Sequence, residues 1–340
     1  MAAAPLVDGY GRVHRDLRIS VTDRCNFRCT YCMPVEGMTW LPRSEVLTFE
    51  EIERLARICV ERFGVDSLRL TGGEPTVRAH LPVLVERLAA LRVDDPTAPG
   101  GSRPIDLALT TNGATLRTVA PGLVEAGLRR VNVSLDTLRR DRFLELTRRD
   151  QLDAVLDGID AAVEAGLAPV KVNVVVMRGV NDDEIVDLAA YGRARGVTVR
   201  FIEWMPLDGG GAWEGDAVVR QDEIVAAIDA VFPLEPLVRG SEPAERFVYR
   251  DGQGEVGVIP SVSRPFCATC DRIRLTADGQ LRACLFAVDE TDLRGLLRSG
   301  ADDDELTAAV QRCVAGKWAG HMIGQVTFVR PRRSMSQIGG

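Results

Sequence analysis

An incomplete α/β barrel of six βα units, (βα)6 and TIM-like, followed by a smaller C-terminal region, is the fold this sequence predicts. Three observations predict it. From Leu17 onward short β-rich runs alternate with amphipathic helical stretches, the rhythm of a parallel sheet wrapped by helices. Six such units can be counted before the rhythm stops after Pro233. The chain's 340 residues exceed the usual single-domain size, leaving room for a barrel over 1–235 and a second unit over 236–340.

The six strands are expected near 16–22, 66–71, 105–111, 129–135, 168–176 and 197–203. Between the first two, Ile52, Leu55, Ala56, Cys59 and Phe63 recur at helical spacing over 49–63, which makes Cys59 a core thiol. Another helix is expected over 183–195. The Pro/Gly-rich stretch Asp94–Arg103 and the glycine run Leu207–Ala212 read as connections, the first of them peripheral. Past Pro233, strand-like runs at 246–250, 256–259 and 272–276 surround a second group of cysteines, and helices follow near 290–298 and 303–315. The acidic run Asp302–Glu305 suits the positive end of the last helix, and Cys313 joins Val310 and Val314 on its apolar side as a second core thiol.

Side chains alternate along a strand, so each βα strand divides into two faces. One face is apolar on every strand. The other carries Arg18, Ser20 and Thr22; Arg69 and Thr71; Asp106 and Thr110; Asn132, Ser134 and Asp136; Lys171 and Asn173; and Arg200. With the apolar faces against helices, these polar residues point into the lumen, which a purely structural barrel fills with branched apolar side chains. Four cations, Arg18, Arg69, Lys171 and Arg200, then face two acids, Asp106 and Asp136. An unpaired buried charge costs about 3–5 kcal/mol, so an anionic ligand is expected there.

A net charge of −7 excludes a surface that is basic throughout, and with it general nucleic-acid binding. Three histidines, His14, His80 and His321, are too few for a histidine-rich metal site and read as surface or packing residues. No GxxxxGK[ST] loop and no HExxH helix occurs. Eight cysteines in two groups of three and two singles do not suit a disulfide framework, no apolar run is long enough to span a bilayer, and a cytoplasmic setting is expected.

The cysteines carry the chemistry. Cys25, Cys29 and Cys32 place three thiols on one short loop with no histidine beside it. A cubane iron–sulfur cluster takes one thiolate per iron, so three cysteines leave one iron free to bind a small molecule, whereas structural zinc closes its shell with four ligands. Cys267, Cys270 and Cys284 form a second triad, CxxC-x13-C, for which ligand count again favours a cluster over zinc. Arg272 and Arg274, two apart in an extended run, put two guanidinium groups on one side next to it, a pair suited to phosphates. The loops that follow strands, where such folds keep their functional groups, include Thr71–Pro75 with Gly72 and Gly73, whose small size permits close backbone approach to a ligand.

CxxxCxxC with an aromatic before its last cysteine resembles the radical S-adenosylmethionine (SAM) enzymes. The two triads together, with GGEP, TTNG, SLD, VKVN and RFIEWM segments in order and a terminal Gly339-Gly340, resemble the GTP 3',8-cyclase family of molybdenum-cofactor biosynthesis along nearly the whole chain. The resemblance implies two 4Fe-4S clusters, on Cys25, Cys29 and Cys32 and on Cys267, Cys270 and Cys284. It implies SAM contacts at Tyr31, Gly73, Ser134 and Met205, and GTP contacts at Arg18, Arg69, Thr110, Lys171, Arg272 and Arg274. The diglycine tail, Gly339 and Gly340, is implied to reach the active site. The implied reaction takes hydrogen from C3' of the GTP ribose and joins that carbon to C8 of guanine. Implied partners are GTP, an electron donor and, through the product, the next pathway enzyme; the family also admits a homodimer, with no nucleic acid and no membrane. A peptide-modifying radical SAM enzyme and a zinc-stabilised nucleotide-binding protein are the competing readings.

Overall fold

The computed structural model describes residues 4–33, 38–207, 213–238, 240, 242–326 and 328–339. Its strands are β1 (Asp16–Ser20), β2 (Ser67–Thr71), β3 (Arg92–Asp94), β4 (Ser102–Pro104), β5 (Asp106–Thr111), β6 (Arg130–Ser134), β7 (Val170–Val176) and β8 (Thr198–Glu203). After these come β9 (Leu234–Pro236), β10 (Glu245–Tyr249), β11 (Glu255–Ile259), β12 (Arg272–Leu275), β13 (Gln280–Arg282) and β14 (Thr291–Asp292). All six expected βα strands form, each within a few residues of its expected ends.

They pair in parallel in the order β1-β2-β5-β6-β7-β8, and the sheet then continues at both edges with strands from beyond Pro233. On one side β12 lies parallel to β1, followed by β13 and β14; on the other β11 lies parallel to β8, followed by β10 and β9. The outer strands β14 and β9 do not meet, so the sheet is a curved, open partial barrel. The C-terminal strands extend the sheet of the first six.

The apolar strand faces meet the helices. Helix Phe49–Phe63 begins with a capping box, Thr48 accepting from the Glu51 amide while the Glu51 carboxylate accepts from the Thr48 amide at 2.8 Å. It ends at Gly64, whose φ of 69° is the left-handed conformation that stops a helix at little cost in glycine. Ile52, Leu55, Ala56, Cys59 and Phe63 are buried beneath it, as their spacing required. Cys313 is different: it is half-buried at the edge of the core, its thiol donating to the Leu281 carbonyl at 3.5 Å. The Asp94–Arg103 stretch is bracketed by the β3–β4 hairpin, a separate two-stranded sheet. Residues 208–212 of the expected Leu207–Ala212 connection lie outside the described residues.

Candidate active site

The polar strand faces line a single cavity of about 540 Å³. Its wall includes every polar residue singled out on β2, Arg18 on β1, Asp106 and Thr110 on β5, Ser134 and Asp136 at the end of β6, Lys171 and Asn173 on β7, and Arg200 on β8. Alternation therefore sorted inside from outside. Cys25, Cys29, Cys32, Tyr31, Gly73, Met205, Arg272 and Arg274 reach the same cavity.

Strand register decides where charge gathers. Arg18 stands opposite Arg274 on one neighbouring strand and opposite Arg69 on the other, so three arginines lie abreast across β12, β1 and β2. Arg272 sits one step along β12, opposite Asp16, with its guanidinium 4.4 Å from the Phe266 ring centre. Asp16 is the acid among them, 3.9 Å from Arg18 Nε. Burial opposes its charge, but Arg18 and then Arg69, Arg272 and Arg274 hold its carboxyl below the usual range. Burial, and then Arg274, push Arg18 well below the usual arginine range, and burial and Arg272 take Arg274 down to about 10. Arginine keeps its proton in proteins, so this unfavourable energy is available to stabilise an entering anion. Arg18 Nε, Arg69 Nε and Asp16 Oδ1 are buried without a hydrogen-bond partner.

The simple count of four cations against two acids needs correction on both sides. Asp106 is taken by Arg130, which approaches with two nitrogens, Nε at 2.6 Å. Arg200 donates to the side-chain carbonyls of Asn173 and Asn132 at 2.7 and 2.8 Å, and Lys171 Nζ lies 3.7 Å from Glu242. The unsatisfied charge is concentrated at the β12–β1–β2 side. Asp16 and Arg130 escaped sequence reasoning although they lie on the same strand faces as Arg18 and Asn132, where alternation could have found them; Glu242 comes from a loop and left no such signal.

The first triad stands at the other end of the chamber. Tyr31 donates to Asp136 Oδ2 at 2.5 Å, and Asp136 Oδ1 accepts from the Val175 amide at 2.8 Å, so the cysteine loop is tied to β6 and β7. Burial lifts Asp136 to about 6 despite both bonds. Glu74 is buried and accepts from Thr76 N, Thr111 Oγ1 and Asn112 N at 3.0, 2.7 and 2.6 Å; Asn112 Nδ2 in turn donates to Asn26 Oδ1 at 2.7 Å. The glycines before it answer to the chain itself. A Cβ on Gly72 would meet the Thr22 carbonyl at 2.4 Å and one on Gly73 the Arg24 carbonyl at 2.4 Å, so their documented close approach is to the start of the cysteine loop.

Burial pushes the Cys25 thiol up to about 11 and the Cys32 thiol up to about 12, and it raises Cys29 well above the ordinary thiol range, with neighbouring thiols adding to the shift at Cys29 and Cys32. Three thiols that resist ionising next to one another form a site whose thiolates require metal charge. Among the described residues no three Cys, His, Asp or Glu side chains converge on one metal ion. What the three buried, mutually opposing thiols fit is a cubane cluster, whose cationic irons each take one thiolate. In the second triad, Cys267 and Cys270 bracket a short turn and Cys284 follows β13. Phe266, Asp271 and Leu285 line the chamber, while Cys284 faces a separate cavity with Cys313, Lys317 and Trp318.

The tail enters the chamber. Gly339, at φ 85°, presents its carbonyl to Arg274, and the carbonyl of Ile338 accepts from Ser20 Oγ at 3.0 Å. A Cβ on Gly339 would meet Ser20 Oγ at 2.2 Å. Ser336 hydrogen-bonds Cys32. Gly340 lies outside the described residues. Nor is His14 a simple packing residue: it is fully buried and 2.8 Å from Lys317 Nζ.

Comparison with known proteins adds to this geometry. Residues 19–192 match the radical SAM superfamily, and residues 197–323 match the family described as Molybdenum Cofactor Synthesis C. A GTP 3',8-cyclase of Streptomyces coelicolor is 52% identical over 98% of this chain and 96% of its own length. One from Mycolicibacterium smegmatis is 50% identical over 100% of this chain and 93% of its own. Among solved structures, Streptococcus suis SuiB bound to S-adenosylmethionine superposes with a TM-score of 0.57 at 14% identity, over 95% of this chain and 77% of that one. The enzyme anSMEcpe with bound AdoMet does so with a TM-score of 0.57 at 15% identity, over 94% and 93%. These two show the fold alone.

Proposed function

Because the chain belongs to the radical SAM superfamily and, within it, to the GTP 3',8-cyclases, we propose that its chamber holds GTP between the two cysteine triads. The family's reaction converts GTP to 3',8-cyclo-7,8-dihydro-GTP for molybdenum-cofactor synthesis, using SAM and iron–sulfur clusters. The observation that carries the site assignment is the row Arg274–Arg18–Arg69, its outer members buried and Arg18 half-buried with its Nε enclosed and unpartnered, flanked by Arg272 and opposed by Asp16. A triphosphate brings several negative charges and many acceptor oxygens, which is what unsatisfied guanidinium forks bind in charge-assisted pairs.

On this reading Arg18, Arg69, Arg272 and Arg274 take the phosphates, and Thr110 and Lys171 take the remaining polar groups of the nucleotide. Cys25, Cys29 and Cys32 hold the first cluster, and Tyr31, Gly73, Ser134 and Met205 surround SAM. Cys267, Cys270 and Cys284 hold the second cluster against the base. When bound, the first cluster supplies the electron that splits SAM and so provides the radical for hydrogen abstraction. What the chain contributes is position: the phosphate row fixes the nucleotide at one end, and Tyr31 braced on Asp136 fixes the cysteine loop at the other. Gly339, held against Arg274 and Ser20, becomes a wall of the same chamber, and Gly340 is assigned with it. The boundary near 235 separates the radical SAM barrel, 1–235, which also lends Arg18, Arg69, Thr110 and Lys171 to the nucleotide, from the unit over 236–340 that carries the second triad, Arg272, Arg274 and the tail. An external electron donor is required because each SAM cleavage consumes one electron.

Anaerobic incubation of reduced, cluster-loaded protein with SAM and GTP should release 5'-deoxyadenosine and the cyclised nucleotide together, resolved by mass spectrometry. Deoxyadenosine without the cyclic product, at saturating GTP, would overturn the assignment of the chamber.

A further inference from the structure

The second triad is held from outside its own loop. Near the N-terminus Val7 and Val13 form a bridge around a turn closed by Asp8, whose carboxylate accepts from Tyr10 N, Arg12 N and Arg12 Nε at 2.9, 3.0 and 2.6 Å. Arg12 then donates to the carbonyls of Cys267, Trp318 and Ala319 at 2.7, 2.6 and 3.0 Å. This clamps the cysteine turn to the chain leaving helix Asp303–Ala315. Behind the turn lies Lys317, 4% exposed. Its Nζ stands 2.8 Å from His14 Nε2, 2.8 Å from the Arg272 carbonyl, and 3.3 and 3.5 Å from the carbonyl and Sγ of Cys270.

The protons around that nitrogen can be counted. His14 Nδ1 lies 3.3 Å from the Leu6 carbonyl, which only accepts, so the ring proton sits on Nδ1 and Nε2 must accept. Two carbonyls, an imidazole nitrogen and a sulfur therefore all ask Lys317 for protons. An ammonium has three to give and a neutral amine two. A compact, rotatable point charge suits this cage, whereas a planar guanidinium does not. The composition agrees: of 42 basic residues only Lys171 and Lys317 are lysines. In the first triad the hydrogen bonds to sulfur come from neutral groups, the Phe27 amide on Cys25 at 3.3 Å, Asn112 on Cys25 and Ser336 on Cys32.

We propose that Lys317 is a positioning residue for the second cluster: its ammonium, oriented by His14 and the Arg272 carbonyl, hydrogen-bonds the Cys270 thiolate and raises the reduction potential of that cluster. The proposal rests on the assignment of Cys267, Cys270 and Cys284 as ligands. A cation donating to a ligand sulfur stabilises the more negative, reduced cluster, and hydrogen bonds to sulfur are among the determinants of such potentials.

The test is an anaerobic redox titration of cluster-loaded, full-length protein, followed by electron paramagnetic resonance, comparing wild type with Lys317→Met. The variant should keep its iron, leave the first cluster's potential in place and make the second at least tenfold harder to reduce, ~59 mV for a one-electron couple. An unmoved second potential with iron retained overturns the proposal. Should Lys317→Met not hold the second cluster, a Cys25→Ala, Cys29→Ala, Cys32→Ala variant grown on 15N-lysine carries the test, since it keeps Lys317 beside the only remaining cluster. A 15N hyperfine coupling in its reduced state, absent when Cys270 is the residue replaced, supports the contact; no coupling overturns it. Retention of the second cluster's iron in Cys270→Ala would instead overturn the ligand assignment beneath it.

Discussion

The two cysteine triads carry the same number of thiols and sit in opposite electrical surroundings. Around the first, burial and the neighbouring thiols oppose ionisation, and the acids Glu74 and Asp136 add to the opposition at Cys25 and Cys29. Around the second, burial and the neighbouring thiols still raise Cys267, but at Cys270 Arg272 and then Lys317 overcome burial and carry it below the ordinary thiol value. Net negative surroundings make a cluster harder to reduce and so a stronger reductant, while cations beside it ease reduction; Arg28 works the other way at Cys25. On the proposed assignment, the same donor set would serve electron delivery at one end of the chamber and anchoring of an electron-rich ligand at the other.

The strongest way to break this comparison is to remove each triad in turn. Replacing Cys25, Cys29 or Cys32 with alanine should abolish both deoxyadenosine release and nucleotide cyclisation. Replacing Cys267, Cys270 or Cys284 should abolish cyclisation while slow, uncoupled deoxyadenosine release continues. Both products are counted in the same anaerobic reaction; cyclisation at the wild-type rate in a second-triad variant would refute the division of labour.

Next in size is the arginine row proposed to hold the phosphates. Arg18→Met or Arg274→Met removes one charge-assisted partner, about 1.5–3 kcal/mol or roughly 10- to 150-fold in GTP affinity. Iron content should not change, which separates ligand binding from cluster loss. Equilibrium dialysis with GTP measures the first and iron analysis the second; unchanged affinity in both variants would remove the row from the substrate site.

A smaller effect is expected at the tail, which touches both ends of the chamber through Ser336 and Gly339. Gly339→Ala puts a methyl where Ser20 Oγ already stands and demands a left-handed backbone, costing of order 1–2 kcal/mol. Expelling the tail should lower cyclisation about tenfold while thermal unfolding of the protein is nearly unchanged. Wild-type turnover in this variant would make the tail a bystander.

The smallest effect on turnover is a pH dependence of stability confined to the second triad's support. Burial, and then Lys317, lower His14 to about 4, whereas an unfolded histidine takes its proton near pH 6.5. Between those values the unfolded chain binds the extra proton, so this group's stability contribution is complete above about 6.5 and is lost as pH falls toward 4. The slope approaches ~1.4 kcal/mol per pH unit in that window. Urea midpoints of the metal-free chain, measured from pH 7 to pH 5, should fall more steeply for wild type than for His14→Gln; parallel lines would remove His14 as the source.

Much of this was legible beforehand. Period-two alternation found the lumen face of all six βα strands because one buried face is a strong constraint on each strand by itself. The helix Phe49–Phe63 announced itself through Thr48, Glu51 and Gly64 as well as its apolar spacing. Cys59 behaved as its neighbours dictated. Cys313 packs against the same core but stays half-buried, because its thiol turns to the Leu281 carbonyl and to a cavity it shares with Cys284 and Lys317.

By itself, then, the sequence determined the βα order, the inward polar faces, the two thiol triads and the family, all of them local patterns or motifs read along the chain. Only the tertiary structure decided that β12 would pair with β1 and bring Arg274 beside Arg18 and Arg69, and that His14 would reach Lys317 from 303 residues away. It likewise decided that Arg200 would be satisfied by two asparagines and that the tail would return to Arg274. Alternation fixes which face a residue occupies, but strand partners and register follow from packing between distant segments. An arginine's partner therefore becomes visible only once those segments have met.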